Sequence, residues 1–280
     1  MAWLSARNVT RRVPPGAELL GNTFPADDRK AGVPFTFAFY SDPQSNDYGH
    51  SRVCDAIIAW KPSFTLCGGD FAHDPNDKEQ WKGFLESSWK LRRSMPWLPV
   101  RGNHDHSDSI WTDLDWPGGR GWYSFDFRHA HFTVIDMEEP RLDADTPQGA
   151  WLIRDLEAAA TRPLTFAFVH PSVVSSGRYF AAGHLRPLEF LHPIFKRTGV
   201  DLVFSGHEHF YERLKYEGMT YVVAAGGGGF IRQPARTHES RLVLVRKHHY
   251  CLVSVHPSHA AVMAIGLDGS IIDQFAVFPR

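Results

Sequence analysis

Polar and apolar positions change character near residue 34. Before it the chain is polar and turn-rich, with Pro14-Pro15-Gly16 and Pro25-Ala26-Asp27-Asp28, which predicts an arm or edge segment over residues 1–32 carrying no chemistry. A single large domain is expected over 33–280. Phe35-Thr36-Phe37-Ala38-Phe39-Tyr40 is aromatic and β-branched, hence a strand, and apolar residues at helical spacing over 50–60 predict a helix behind it. Ser63 to Cys67 reads as the next strand, 77–93 as a helix, and Trp97 to Val100 as a third strand. Residues 123–127 and 131–135 predict a hairpin, 147–160 a helix, 164–169 a strand, 187–197 a helix and 201–204 a strand. Beyond residue 218, four strands are expected between turns such as Gly226 to Gly229 and Asp268-Gly269. Helix and strand alternation followed by strands alone predicts an α/β chain of two mixed sheets packed together with helices outside.

Composition narrows the function classes. With 43% hydrophobic and 22% charged residues, the 280-residue chain can bury a sizeable core. A net charge of −1 and a pI near 7.0 supply no footprint for nucleic acid or an anionic membrane, so a small-molecule or local phosphoester substrate fits better. Cys54, Cys67 and Cys251 form neither a paired framework nor a CxxC metal site. The first residues lack the apolar core of a secretory signal, and no stretch approaches the roughly 18 apolar residues of a membrane span. The expectation is a cytoplasmic protein.

The acidic, amide and imidazole side chains cluster at strand ends. Asp42 follows the first strand, Asp70 the second, and Asn103 and His104 the third. His170 follows 164–169, and His207 and His209 follow 201–204. Carboxyl ends of parallel strands share one edge, so these groups can converge. A set of carboxylates, imidazoles and an amide oxygen without thiolates suits Mn, Fe or Zn. Seven candidates exceed the needs of a single ion and suggest two, about 3.5–4 Å apart and sharing a carboxylate. Spacing leaves open whether Asp42 or Asp70 is shared.

Asp42-Pro-Gln44, Gly69-Asp70, Gly102-Asn103-His104-Asp105, Val169-His170 and Gly206-His207-Glu208-His209 occur in the order of the calcineurin-like metallophosphoesterases, which the chain resembles from about residue 34 to 278. The stretch 206–213 with the glycines 226–229 looks like the purple acid phosphatase branch. The resemblance implies a four-layer α/β/β/α sandwich and two divalent or mixed-valence ions (Mn, Fe or Zn). It makes Asp42, Asp70 and His209 ligands of the first ion, and Asp70, Asn103, His170 and His207 ligands of the second. It also implies His104 as general acid, Asp105 orienting its ring, and a hydroxide activated by the cations as nucleophile. Asn103 and His104 would also contact substrate.

Two positions depart from the commoner family patterns. Gln44 stands where the family often has a ligating histidine, so it is a candidate ligand. His73 stands where purple acid phosphatases have a tyrosine, and is a candidate ligand or substrate contact. The iron-loaded protein is therefore expected to lack the purple tyrosinate-to-iron band. The Asp-Pro-Gln and Gly-Asp-x-x-His pairing resembles a smaller branch with protein phosphatase-like members and nucleotide diphosphatases. His184, in the loop 175–186, is a candidate substrate contact. His248 and His249 read as an exposed hairpin end, and the glycine run as either a phosphate cradle or a turn. A phosphomonoester, small or protein-borne, is the first choice of substrate. The alternatives are a phosphodiesterase or nucleotide pyrophosphatase, and a non-catalytic scaffold that binds a phospho-ligand.

Overall fold

A computed structural model describes residues 17–19 by their backbone and residues 32–280 with side chains. The strands of the first half are β1 (Ala17–Leu19), β2 (Phe35–Tyr40), β3 (Phe64–Cys67), β4 (Trp97–Pro99), β5 (Tyr123–Phe127), β6 (Ala130–Ile135) and β7 (Leu164–Val169). Those of the second are β8 (Leu202–Ser205), β9 (Tyr211–Tyr216), β10 (Met219–Ala224), β11 (Arg241–Val245), β12 (His249–His256), β13 (His259–Gly266) and β14 (Ile271–Val277). Helices are α1 (Asp47–Trp60), α2 (Lys78–Ser87), α3 (Trp89–Ser94), α4 (Asp108–Asp113), α5 (Pro147–Ala158), α6 (Arg178–Ala181) and α7 (Arg186–Thr198).

One sheet runs β1-β5-β6-β7-β8-β10-β9-β11 and the other β14-β13-β12-β2-β3-β4. Their inner faces meet over phenylalanines, among them Phe37, Phe39, Phe64, Phe125, Phe132, Phe166, Phe168 and Phe204, all buried. Phe37 stacks on Phe64 with centroids 5.5 Å apart, and Phe168 on Phe204 at 5.6 Å. Each such ring contributes on the order of 1.5–3 kcal/mol on burial. The outer face of the first sheet is covered by a second apolar cluster that includes Leu152 and Leu156 of α5 and Leu191 and Phe195 of α7. A third cluster joins Val53 and Ile57 of α1, Phe84 of α2 and Leu91 of α3 to the other sheet. The four-layer α/β/β/α sandwich follows from strands apolar on both faces, which must be covered twice.

Several boundaries differ from the sequence-based expectation. The helix expected over 77–93 is two helices, parted at Ser88, whose hydroxyl donates to the Phe84 carbonyl at 2.7 Å. Such back-bonding loosens a helix from within. Beyond residue 218 there are five strands where four were expected, and β9 precedes them. The charged residues of Tyr211-Glu-Arg-Leu-Lys-Tyr216 hide the strand pattern of β9. His249 is not at an exposed hairpin end. It opens β12, fully buried, with its backbone N–H donating to Gly226 at 3.0 Å. Residues 17–19 pair antiparallel with β5, and the rest of the expected arm up to residue 31 lies outside the described residues. Cys54, Cys67 and Cys251 are free and buried. No helix among the described residues is long and apolar enough to cross a membrane.

Candidate metal centre

The loops leaving the carboxyl ends of β2, β3 and β4 in one sheet meet those leaving β7 and β8 in the other. Backbone bonds tie the loops within each set: Asp42 N–H donates to Gly69 O at 3.1 Å, and Gly206 N–H to His170 O at 2.9 Å. Asp42, Asp70, His207 and His209 have φ of 61°, 55°, 74° and 57°. Such left-handed conformations in side-chain-bearing residues cost about 1–3 kcal/mol each and persist only where surrounding contacts over-determine them. Gly69 has φ +98°, and a Cβ there would lie 2.6 Å from Gly102 N and 2.8 Å from His170 Nδ1. Only glycine lets these two loops close on each other.

The convergence brings six of the seven sequence-predicted donors into contact. Asp70, His170 and His207 form one group, and Asp42, Asp70 and His209 another, with ligand atoms within 4.8 Å of one another in each. Asp70 belongs to both. His170 Nε2 lies 3.3 Å from Asp70 Oδ2 and 3.2 Å from Asn103 Oδ1. His207 Nδ1 lies 3.2 Å from His170 Nε2, and His209 Nε2 lies 3.4 Å from Asp42 Oδ1.

The far side of each ring explains its orientation. His170 Nδ1–H donates to Gly68 O at 2.7 Å and His209 Nδ1–H to Phe230 O at 2.9 Å, which turns both Nε2 atoms inward. Both Asp42 oxygens accept the His207 backbone N–H, at 2.9 and 3.1 Å. Burial pushes the Asp42 carboxyl up, but the hydrogen bond and charge of His209, with the charge of His170, hold it below the usual carboxylate range. Asp70 is lowered too, because the charge and hydrogen bond of His170 outweigh burial. Burial pulls His170 down, and Asp70 and Asp42 more than reverse this, raising it to about 10. His207 is lowered to about 3 by burial and by the neighbouring charge of His170.

The roles implied for Asp105 and Gln44 need correction. The Asp105 carboxylate does not touch the His104 ring. It accepts the backbone N–H groups of Asp70 and Gly102, each at 2.8 Å, and of Phe71 at 3.0 Å, so it ties the second and third loops together. His104 Nδ1–H is held by the His73 carbonyl at 2.7 Å, and its backbone N–H donates to Asp70 Oδ1 at 2.9 Å. Gln44 presents its amide nitrogen, not its oxygen, to the cluster. It donates to Asp70 Oδ2 at 3.0 Å, while its oxygen faces His73 Nδ1 at 3.2 Å. As placed, Gln44 is a donor to Asp70 rather than a ligand. His73 is exposed, 4.6 Å from His104 between ring centroids, and offers no atom to either donor group.

The glycine run is not a phosphate cradle. Gly227 N–H donates to Ser41 O and Gly229 N–H to Asp42 O, both at 2.8 Å. A Cβ on Gly228 would lie 2.6 Å from Pro43 O. These glycines are the backing on which the Asp42 loop rests.

His184 lies outside the donor groups, in the wall of a cleft of about 430 Å³ that His207 also lines. Tyr179 has the most direct contact missed in the sequence. Its ring centroid is 3.9 Å from that of His207, and its hydroxyl accepts from Arg178 Nη2 at 2.8 Å. No spacing announces it, because the four-residue helix α6 that carries it is too short to show a period. Glu208, between His207 and His209, is 1% exposed, and Oε1 finds no hydrogen-bond partner. Burial raises it to about 7, against a hydrogen bond from the Phe180 backbone.

Sandwiched sheets with one aspartate common to two donor groups at their edge are the build of metal-dependent hydrolases. The family model for calcineurin-like phosphoesterases matches residues 35–211, and the chain belongs to that family. It is 27% identical over 203 residues to purple acid phosphatase 18 of Arabidopsis thaliana, covering 66% of this chain and 46% of that protein. Purple acid phosphatase 1 of Ipomoea batatas is 27% identical over 210 residues, 65% of this chain and 43% of that protein. The chain thus spans less than half the length of these curated relatives. Among solved structures, purple acid phosphatase PPD1 from yellow lupin (Lupinus luteus) seeds has a TM-score of 0.78 at 17% identity, covering 88% of this chain and 54% of that one. GAP50, the anchor in the inner membrane complex of Plasmodium, has a TM-score of 0.72 at 17% identity, covering 88% of this chain and 89% of that one. At such identities the structural likeness shows the fold alone.

Proposed function

We propose that this edge hydrolyses a phosphomonoester with the help of two cations, which the carboxylate, imidazole and amide donors fit by chemistry. The observation carrying the reading is that Asp70 belongs to both donor groups. Asp42, Asp70 and His209 would hold one cation, and Asp70, Asn103, His170 and His207 the other. When bound, Mn, Fe or Zn ions neutralise phosphate charge and lower the pKa of water to yield a nucleophile at neutral pH.

The chain's own residues supply the rest. His104 is half-buried beside Asn103. The His73 carbonyl that accepts its Nδ1–H fixes the ring and leaves Nε2 as the atom to face the departing alcohol. The backbone bond from His104 to Asp70 fixes this acid relative to the shared ligand. Asp105 keeps the two loops in register, and Gln44 steadies Asp70.

The test is elemental content together with turnover of p-nitrophenyl phosphate and its bis-ester. Two equivalents of metal with preference for the monoester supports the proposal, and preference for the bis-ester moves the chain to the phosphodiesterase alternative. Metal-loaded protein that hydrolyses neither ester would overturn the phosphomonoesterase reading.

A further inference from the structure

The cleft beside His207 holds more acceptors than its neighbours satisfy. It runs between the ends of β6 and β7 and the first turn of α7. Its wall includes Glu138, Glu189 and Glu208 against the single guanidinium of Arg186. Among the described residues none of these four forms a salt bridge, and the Glu208 Oε1 is an orphaned acceptor in a side chain only 1% exposed. Three further guanidinium groups stand nearby but are engaged elsewhere: Arg101, whose charge reaches Glu138, pairs with Asp136 at 3.3 Å. Arg178 donates to the Tyr179 hydroxyl, and Arg232 Nη1 donates to the His207 carbonyl at 3.0 Å. Tyr179 adds an aromatic wall against His207.

We propose that this cleft receives the alcohol portion of the substrate and selects leaving groups that carry a cation or several hydrogen-bond donors, such as amino alcohols. The inference rests on the phosphomonoesterase reading and names its substrate class. A cleft of about 430 Å³ suits a small organic group. A buried acceptor without a partner gains from an incoming donor, and unpaired carboxylates repel a second anionic group. The same wall therefore disfavours nucleoside diphosphates and acidic phosphopeptides, whose extra charge would face Glu138 and Glu189.

The test is a ranking of kcat/KM on the metal-loaded protein for O-phosphoethanolamine, glycerol phosphate and 3-phosphoglycerate, which carry a cation, neutral donors and an added carboxylate. The expected order is cation, then polyol, then anion. Glu189→Gln and Glu138→Gln should each compress the cation-to-anion ratio by about fivefold, the size of an exposed charge interaction, acting through KM. Equal or reversed ranking in the unaltered protein overturns the proposal, as does a ratio untouched by both substitutions. Calorimetric binding of the same three esters scores the cleft separately. If they bind in the expected order and are not hydrolysed, the phosphatase reading fails and the selectivity stands.

Discussion

Two buried groups of histidine and aspartate, one within the eight-stranded sheet and one where the loops of both sheets meet, do opposite things. On β5 and β6, His131 lies between Asp126 at 2.8 Å and Asp155 at 3.0 Å. Ser124 and Thr133 donate to Asp155, and Arg162 donates to Asp126. Every charge there has an opposite neighbour, on regular strands and a helix. At the metal centre, two imidazole nitrogens face each other at 3.2 Å and two aspartates share one edge. Four of the residues there hold left-handed backbone. The first group is closed by its own chain, whereas the second is a set of ligand atoms converging where a cation would fit. Histidine and carboxylate proximity alone does not make a site; incomplete pairing on strained loops does.

Removing the shared ligand should break this contrast most completely. Asp70→Asn should lose both metal equivalents, and turnover should fall by at least the 10²–10⁴ range of a lost catalytic group. Unchanged stoichiometry by elemental analysis would remove Asp70 from the bridge. His104→Ala should lower kcat by about 10²–10⁴ with metal retained, and near-normal kcat would end its role as acid. Gln44→Ala is expected to weaken metal affinity about tenfold, as for other groups that steady a ligand. Competition with a chelator reads this, and unchanged affinity means that Asp70 needs no such support. Chelation itself should lower the Tm by several degrees, since a ligand of the folded state stabilises it by mass action. A Tm indifferent to chelator would mean that the donor groups hold no cation.

The smallest effect belongs to the closed group. Burial disfavours the His131 cation, but Asp126 and Asp155 raise its pKa to about 9. A folded pKa above the unfolded value of about 6.5 contributes stability that is complete below pH ~6.5 and is lost as pH rises through 9. His131→Gln should therefore flatten the fall of Tm across that window with metal content unchanged. Parallel curves for the two proteins would show that the imidazolium contributes nothing.

Most of the donor set was legible because each residue directly follows a strand that its own apolar run announces. Phe35 to Tyr40 locates Asp42, and Leu164 to Val169 locates His170. What could not be read was orientation. Asp105 follows His104 in sequence, yet its carboxylate turns to three backbone N–H groups across the loop. Gln44 points its nitrogen inward, and His249 is buried although Arg246 and Lys247 come shortly before it. Tyr179 gave no signal, since a helix of four residues has no period to betray which side chain it turns toward His207.

By itself the sequence determined the doubly covered strands and the order in which acidic, amide and imidazole groups leave their ends, because burial and backbone periodicity are local in the chain. Only the tertiary structure decided that Asp105 ties two loops through backbone N–H groups, that Glu208 is left without a full set of partners, and that the glycines back the Asp42 loop. These depend on how two sheets meet at one edge, where contacts a few ångströms long join residues more than 150 positions apart, such as Asp42 and His207, and no local pattern carries that distance.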